Sequence, residues 1–202
     1  MIDALLAGVR AISLAEAISV LLGLAYLLLA VRRSRWCWLA GGVSSAILGY
    51  LSVRARLPMQ AALQIYYVAM SVYGFRHWSR TGAESERAVT TWPLSHHLAA
   101  CAAVLVASVI SAHWLARETQ AAWPYLDSLT TWGSLFTTWL VARVKLENWA
   151  YWVVIDAVLV FLFAAQGLYF VALLNALYVL IAIAGFMSWR KSYRASRVQA
   201  AS

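Results

Sequence analysis

The sequence has few charged residues for its length. Only 12% of its 202 residues are charged and 63% are hydrophobic, against roughly 25% and 45–50% in ordinary soluble domains. A water-soluble chain of this length could not cover its surface with so few charges. The two cysteines, Cys37 and Cys101, lie in apolar segments without metal-ligand spacing. The composition therefore excludes a disordered chain, a disulfide scaffold and a soluble domain, and it indicates an integral membrane protein.

Positive charge is in excess, because the formal net charge is +8. Such an excess can indicate nucleic-acid binding. Here, however, the arginines lie between apolar runs, as the topology of a membrane protein requires. We therefore expect membrane lipid, and no nucleic acid, as a partner.

Seven stretches have the length and apolar character of a transmembrane helix, which needs about 20 mostly apolar residues. Tryptophan and tyrosine cluster near several of their ends, as is typical of an interfacial belt. The sequence therefore predicts an all-α, multi-pass membrane protein. The predicted spans are Leu14–Val31, Trp36–Val53, Gln60–Trp78, Leu94–Leu115, Trp123–Ala142, Trp149–Ala165 and Leu168–Trp189.

The lysines and arginines are distributed unequally between the two sides that these spans define. Twelve fall on the side of the C-terminus and four on the other. Because positive residues accumulate in cytoplasmic loops, we expect the N-terminus outside and the C-terminus in the cytoplasm. The four outer residues are Arg10, Arg54, Arg56 and Arg117.

The chain matches itself without gaps at an offset of 111 residues. The pairs keep charge, amide and aromatic character, as in Gln64 with Asn175 and Trp78 with Trp189. Three helices, one linker helix and three helices would give two triplets of the same direction, a parallel repeat with its substrate site at the interface. The expected parts are a first three-helix bundle in residues 1–78, a loop and linker helix in 79–122, and a second three-helix bundle with a cytoplasmic tail in 123–202. Further pairs are Glu16 with Asp127, Arg32 with Arg143, Trp38 with Trp149, Leu57 with Leu168, Tyr67 with Tyr178, and Gly74 with Gly185.

Polar side chains inside a membrane are costly and therefore point to function. Gln64 and Asn175 occupy matched positions, and their amides could clamp a ligand or join helices. Asp156 could pair with a cationic substrate, carry a proton, or bond neighbouring helices. Glu16 and Asp127 lie near helix starts, where the helix dipole favours carboxylates, so we expect capping roles.

Two more polar or aromatic groups stand out. Trp149 and Trp152 are one turn apart and within reach of Asp156, so they could stack on a flat ligand ring. Glu147 could pair with Arg143, four residues earlier.

The four histidines have no chelating arrangement, because the adjacent His96 and His97 point to different helix faces, so we expect no metal.

Other protein classes fit the sequence poorly. A retinal protein needs a lysine in mid-membrane, whereas Lys145 and Lys191 flank the predicted spans. An intramembrane enzyme needs a nucleophile with a base or paired metal ligands, and none has the required spacing. No nucleotide-binding loop is present. We therefore expect neither catalysis nor a cofactor; a scaffold or sensor subunit remains an alternative to a transporter.

Several stretches resemble the PnuC family of bacterial vitamin transporters. They are the segment Arg33-Ser-Arg-Trp-Cys-Trp-Leu with Gly41, Gly42, Ser44 and Ser45, the segment from Gln64 to Phe75, the run Leu146-Glu-Asn-Trp-Ala-Tyr-Trp-Val-Val-Ile-Asp156, and the stretch from Gly167 to Gly185. The resemblance covers nearly the whole chain in the family's order, and its Glu-Asn-Trp…Trp…Asp run is fairly specific.

The resemblance implies a SWEET-like fold, a homotrimer in the inner membrane, and uptake of nicotinamide riboside by facilitated diffusion. Thiamine and riboflavin are the alternatives, because relatives carry them and the motifs do not separate the three. It also implies a binding site made of amide and aromatic groups on the triplet helices. By position these are Gln64, Tyr67, Trp149, Trp152, Asp156, Asn175 and Tyr178.

Overall fold

In the computed structural model, residues 13–54, 58–80, 88–118 and 123–199 are described, and they form seven α-helices. Arg10, Arg56 and Leu57, which were named above, lie outside these residues. The helices are α1 (Leu14–Val31), α2 (Trp36–Arg54), α3 (Pro58–Arg80), α4 (Leu94–Glu118), α5 (Pro124–Ala142), α6 (Asn148–Ala165) and α7 (Tyr169–Gln199).

The predicted spans agree with these helices to within three residues, except at the end of α7. That helix continues ten residues past Trp189, through a basic stretch. Within the described ranges, five helices (α1, α2, α4, α6 and α7) are long and apolar enough to cross a membrane. The other two, α3 and α5, carry more polar side chains, several of which are buried inside the bundle.

The helices pack as two groups of three and one extra helix. In the first group α2 contacts both α1 and α3, and in the second α6 contacts both α5 and α7. The groups meet at two seams, where α1 packs on α7 and α3 packs on α5. Helix α4 packs on the outside of α5.

The helix starts follow from local sequence. Ser13 caps α1 in a reciprocal box, because its hydroxyl accepts from the Glu16 amide while the Glu16 carboxylate accepts from the Ser13 amide. The capping role expected for Glu16 is therefore confirmed. Helix α5 begins instead with Pro124 in its first turn and has no side-chain cap, so Asp127 contributes only a charge near the helix start.

Two similar turns lie at the same end of the bundle. After α1 and after α5 the chain turns through a residue with positive φ, Arg33 (58°) and Val144 (53°). Non-glycine residues adopt this conformation rarely. The amide three residues past the end of each helix donates back into it, Ser34 to Leu29 and Lys145 to Leu140.

Residues 88–93, which we call the strap, run along the second of these turns. Thr90 exchanges two backbone hydrogen bonds with it, donating to the Val144 carbonyl and accepting from the Leu146 amide. The Trp92 amide donates to the Glu147 carboxylate at 2.9 Å. The strap therefore fastens the start of α4 to the turn between α5 and α6.

Four tryptophans at this end, the tryptophan cluster, form the centre of the core. Trp38, Trp78, Trp149 and Trp189 are each no more than 2% exposed. Neighbouring rings in the series Trp38, Trp78, Trp189, Trp149 lie 5.5, 6.4 and 5.5 Å apart between centroids. The expectation that tryptophans near helix ends form an interfacial belt is wrong for these four, because their rings pack on each other inside the bundle.

Candidate functional site

A buried carboxyl group lies in the bundle among residues of several helices. Asp156, two turns into α6, is 6% exposed. It is close enough to interact electrostatically with the hydroxyls of Tyr67 on α3 and Tyr178 on α7. The structure thus brings together three of the residues that the sequence nominated. A buried charge needs partners, and two phenols with an acid make a polar patch suited to a cation or a hydroxylated ligand.

Each of these tyrosines extends across a seam to the other group of helices. The Tyr67 hydroxyl interacts with the Ser134 side chain on α5. A Cβ added to Gly23 on α1 would lie 3.7 Å from the Tyr178 hydroxyl oxygen. Tyr66, beside Tyr67, also crosses a seam, donating to the Leu135 carbonyl at 2.8 Å. The candidate site therefore lies where the two helix groups meet.

The two amides are buried, but their described contacts stay within their own helix groups. Gln64 is 5% exposed, and its Cβ would be 3.3 Å from a Cβ at Gly49 on α2. Asn175 is 6% exposed and donates through Nδ2 to the Val171 carbonyl of its own helix at 2.8 Å. This bond occupies one of the donors of Asn175 and leaves its Oδ1 lone pairs for another partner.

The two tryptophans of α6 differ in environment. Trp152 is half-buried, whereas Trp149 is 1% exposed. A Cβ at Gly185 would lie 2.7 Å from the Trp149 ring, and the Trp189 ring packs against it at 88°. The expected stacking platform of two tryptophans is therefore reduced to Trp152, because the surfaces of the Trp149 ring are occupied by protein.

Sequence reasoning also missed the partners of Glu147. Instead of pairing with Arg143, its carboxylate accepts from the Trp92 amide and lies 3.5 Å from His97 Nε2. His97 Nδ1 in turn contacts the Tyr151 hydroxyl at 2.9 Å. The sequence could not predict these contacts, because they depend on where the strap meets the turn.

An open groove of about 880 Å³ lies elsewhere, on the outer side of α2 and α3. Its walls are almost wholly apolar and include Trp36, Val43, Tyr50 and Phe75. None of the seven nominated residues lines it. For a helical membrane protein such a surface is suited to lipid chains or another subunit, so the polar interior around Asp156 is the stronger candidate for a substrate site. Over the residues described here, no three histidine, cysteine or acidic side chains are grouped to hold a metal ion.

The described residues form seven helices, five of them long and apolar enough to cross a membrane, with polar side chains buried where two helix groups meet. These features define the class of a polytopic membrane protein. Comparison with known proteins makes the class specific. Residues 13–191 match the model of the nicotinamide mononucleotide transporter family. The solved structure described as the vitamin B3 transporter PnuC has the same fold, with a TM-score of 0.71 over 90% of this chain and 82% of that one, at 21% identity.

Two curated relatives align over most of their length. The nicotinamide riboside transporter PnuC of Escherichia coli (strain K12) is 27% identical, over 93% of this chain and 90% of that protein. The riboflavin/roseoflavin transporter RibM of Streptomyces davaonensis is 28% identical, over 88% and 85%. The chain belongs to the PnuC family of membrane vitamin transporters, which confirms the resemblance noted in the sequence.

Proposed function

We propose that the substrate of this transporter is nicotinamide riboside. The observation that carries the proposal is the buried Asp156 carboxyl, which lies within electrostatic range of two tyrosine hydroxyls. Nicotinamide riboside has a cationic pyridinium ring and a sugar. The acid would balance the ring charge, an aromatic face such as Trp152 would stack on it, and phenol and amide groups would bind the sugar hydroxyls.

A phosphorylated substrate fits this site less well, although the description of the family model names the mononucleotide. The charged side chain among the nominated residues is an acid, Asp156. A phosphate beside a buried carboxylate would meet like charge without compensation. The riboside is therefore favoured over the mononucleotide.

Riboflavin is the second candidate, since RibM is as similar to this chain as PnuC is. Thiamine, like the riboside, is a flat cation and would suit the same groups. Riboflavin is neutral, so it would gain little from Asp156. Because of this difference in charge, Asp156 is the residue that can distinguish the two cationic candidates from riboflavin.

We further propose that the seven helices form a parallel three-one-three repeat, as in SWEET proteins. The proposal is supported by features that recur 111 residues apart. The two positive-φ residues Arg33 and Val144 are one such pair. The ring pairs Trp38–Trp78 and Trp149–Trp189 have equal centroid distances of 5.5 Å and interplanar angles of 85° and 88°.

Burial and packing give further support for the repeat. Buried positions on α3 recur on α7, as with Gln64 and Asn175, and those on α2 recur on α6, as with Ser45 and Asp156. If each helix of one triplet is replaced by its counterpart in the other, the contact of α1 with α7 becomes the contact of α5 with α3. The two seams are therefore equivalent under the repeat. In this repeat Ser45 is the counterpart of the acid, so the site would have one charged and one neutral side.

In the proposed mechanism the two triplets rock about the seams and expose the site to each side in turn. Gln64, Tyr67, Trp152, Asp156, Asn175 and Tyr178 would contact the substrate. Trp149, on the side of the site nearer the tryptophan cluster, would support the site without contacting the substrate. The charge distribution favours an outside N-terminus and a cytoplasmic C-terminus in the inner membrane, and the homotrimer that the family resemblance implies remains part of this proposal.

Transport would be passive, with net uptake drawn by phosphorylation of the vitamin in the cytosol. A proton-driven carrier usually has a series of acids or histidines across the membrane. In proteoliposomes held at zero membrane potential, labelled nicotinamide riboside should equilibrate and never concentrate. Accumulation under a pH or sodium gradient would overturn the passive mechanism. Absence of uptake, with uptake of riboflavin instead, would overturn the proposed substrate.

A further inference from the structure

The tryptophan cluster closes one end of the bundle. Its four rings form a continuous row from α2 through α3 and α7 to α6, and each is buried to at least 98%. The contact between Trp78 and Trp189 joins the two helix groups at the middle of the row. The row reaches from the first helix group to the second, so we expect it to obstruct a ligand that moves towards this end of the bundle.

Both seams are held at this level by indole hydrogen bonds. Trp78 Nε1 on α3 donates to the Ala142 carbonyl at the end of α5, at 2.9 Å. Trp189 Nε1 on α7 donates to the Ala30 and Val31 carbonyls at the end of α1, at 3.2 and 3.0 Å. These carbonyls belong to the last turn of a helix, where no intrahelical donor is available. The Ala30 carbonyl also accepts from the Arg33 amide in the following turn, at 2.9 Å. Two side chains thus join the groups at both seams.

The cluster lies between the candidate site and the end of the bundle. Asp156 is seven residues from Trp149 along α6, which corresponds to about 10 Å at the helical rise. Tyr67 and Tyr178 are each eleven residues from Trp78 and Trp189, or about 16 Å. A substrate leaving the site towards this end would have to pass the cluster.

We propose that Trp38, Trp78, Trp149 and Trp189 are the gate at this end of the transport path, shut in this structure and opened by release of the cross-seam hydrogen bonds of Trp78 and Trp189. The inference rests on the proposed alternating access. Of the four gate residues, only Trp149 is among those nominated for the substrate site, and there it has a supporting role. If the charge distribution gives the orientation, this is the cytoplasmic gate.

The shut arrangement of the gate also includes buried indole groups that destabilise it. The indole N–H groups of Trp38 and Trp149 are buried, and they have no hydrogen-bond partner among the described residues. An unsatisfied buried donor is unfavourable. The shut arrangement is thus stabilised by two indole donors and destabilised by two others, as suits an element that must move in each cycle.

Two glycines permit the shut arrangement. A Cβ at Gly74 would lie 2.2 Å from the Trp38 ring, and one at Gly185 would lie 2.7 Å from the Trp149 ring. Neither ring could keep its place against an alanine. A methyl group at either position should therefore hold the gate open, and the one at Gly74 would do so without touching any residue nominated for the substrate.

Cys37 is a native reporter for this test, because it is adjacent to Trp38 and 0% exposed. In a Cys101→Ser background, the rate at which a membrane-impermeant thiol reagent labels Cys37 would measure opening. The reagent is applied separately to right-side-out and inside-out vesicles, without any vitamin. Labelling should be slow in the parent protein and faster from one side only in the gate variants.

Trp78→Phe keeps a ring but deletes the donor, and it should speed labelling by about tenfold, which corresponds to about 1.4 kcal/mol, or one hydrogen bond. Gly74→Ala should speed it by more than that. Adding Trp38→Phe to Gly74→Ala makes room for the methyl group and should slow labelling again. The controls are Gly133→Ala, whose Cβ meets only the end of the Ile155 side chain at 3.3 Å, and Trp114→Phe on the exposed side of α4.

Unchanged labelling in Trp78→Phe and Gly74→Ala would overturn the gate, and so would equal acceleration from both sides or in the controls. In the double variant, the smaller ring restores slow labelling only if the clash between the methyl group and Trp38 caused the fast labelling of Gly74→Ala. If Gly74→Ala instead unfolds the protein, the double variant would stay fast, and that result would also overturn the gate. Because no vitamin is present, failure of the gate is distinguishable from failure of the proposed substrate, which transport measures separately.

Discussion

The contacts that fasten the strap allow the effect of one substitution on stability to be estimated. Glu147 accepts a hydrogen bond of 2.9 Å from the Trp92 amide, and it lies 3.5 Å from His97 Nε2. The side chains of His97 and Glu147 are 14% and 24% exposed, so water screens the pair only in part. We expect removal of this carboxylate to release the strap from the turn between α5 and α6.

The two contributions can be estimated separately. A hydrogen bond to a charged group contributes about 1.5–3 kcal/mol, and a partly exposed ion pair adds about 0–1 kcal/mol. Glu147→Ala should therefore cost about 2–3 kcal/mol. Glu147→Gln keeps an acceptor for the Trp92 amide and loses only the charge, so it should cost about 1 kcal/mol.

Thermal unfolding of the detergent-purified protein measures this difference. For a chain of this length about 1 kcal/mol lowers Tm by roughly 2–4 °C, so we expect a decrease of about 5–10 °C for alanine and about 2–4 °C for glutamine. Glu16→Gln at the exposed cap of α1 is the matched control and should change Tm by less than about 2 °C. A glutamine variant as unstable as the alanine variant, or an alanine variant with an unchanged Tm, would refute the role assigned to Glu147.

Three further predictions concern the site and the topology. Asp156→Asn should weaken binding of nicotinamide riboside by about 10–100-fold, because a buried charge pair about 6 Å apart contributes up to about 3 kcal/mol. The affinity for riboflavin should not change. Calorimetry that finds the affinities for the two vitamins equally reduced would contradict this prediction. Gln64→Ala and Asn175→Ala should each weaken riboside binding by about 1–3 kcal/mol, and unchanged affinity in both folded variants would assign the amides to helix packing. A reporter that fluoresces only in the cytoplasm should be bright when fused to Ser202, and a dark fusion at normal expression would reverse the orientation.

The helices could be predicted because an apolar run of membrane length can satisfy its backbone only as a helix. The turns were less accessible. The positive φ at Arg33 and Val144 is not coded by glycine, so no residue type signalled it. The end of α7 was missed because Arg190 and Lys191 ended the apolar run, whereas the helix itself continues to Gln199.

The site could be predicted in part. The polarity of Asp156 within an apolar helix identified it, since such a group is costly without a purpose. Trp149 and Trp78 were harder to interpret, because a tryptophan near a helix end satisfies both a membrane belt and a buried cluster. Only the packing against Gly185 and Trp38 distinguishes the two. The one sequence signal for the buried cluster was the repeat, in which Trp38 recurs as Trp149 and Trp78 recurs as Trp189, each 111 residues later.

Calorimetry on the detergent-purified protein with nicotinamide riboside, thiamine and riboflavin tests the central claim most directly. The acid and the aromatic faces of the site favour the two cations over neutral riboflavin, which should bind most weakly. The phenol and amide groups would bind the sugar hydroxyls of the riboside, which thiamine lacks, so the riboside should bind most tightly and thiamine more weakly. All three ligands carry ring systems, so stacking alone would not produce this order. Tightest binding of riboflavin, or an affinity for the riboside that is the same in Asp156→Asn, would contradict the account.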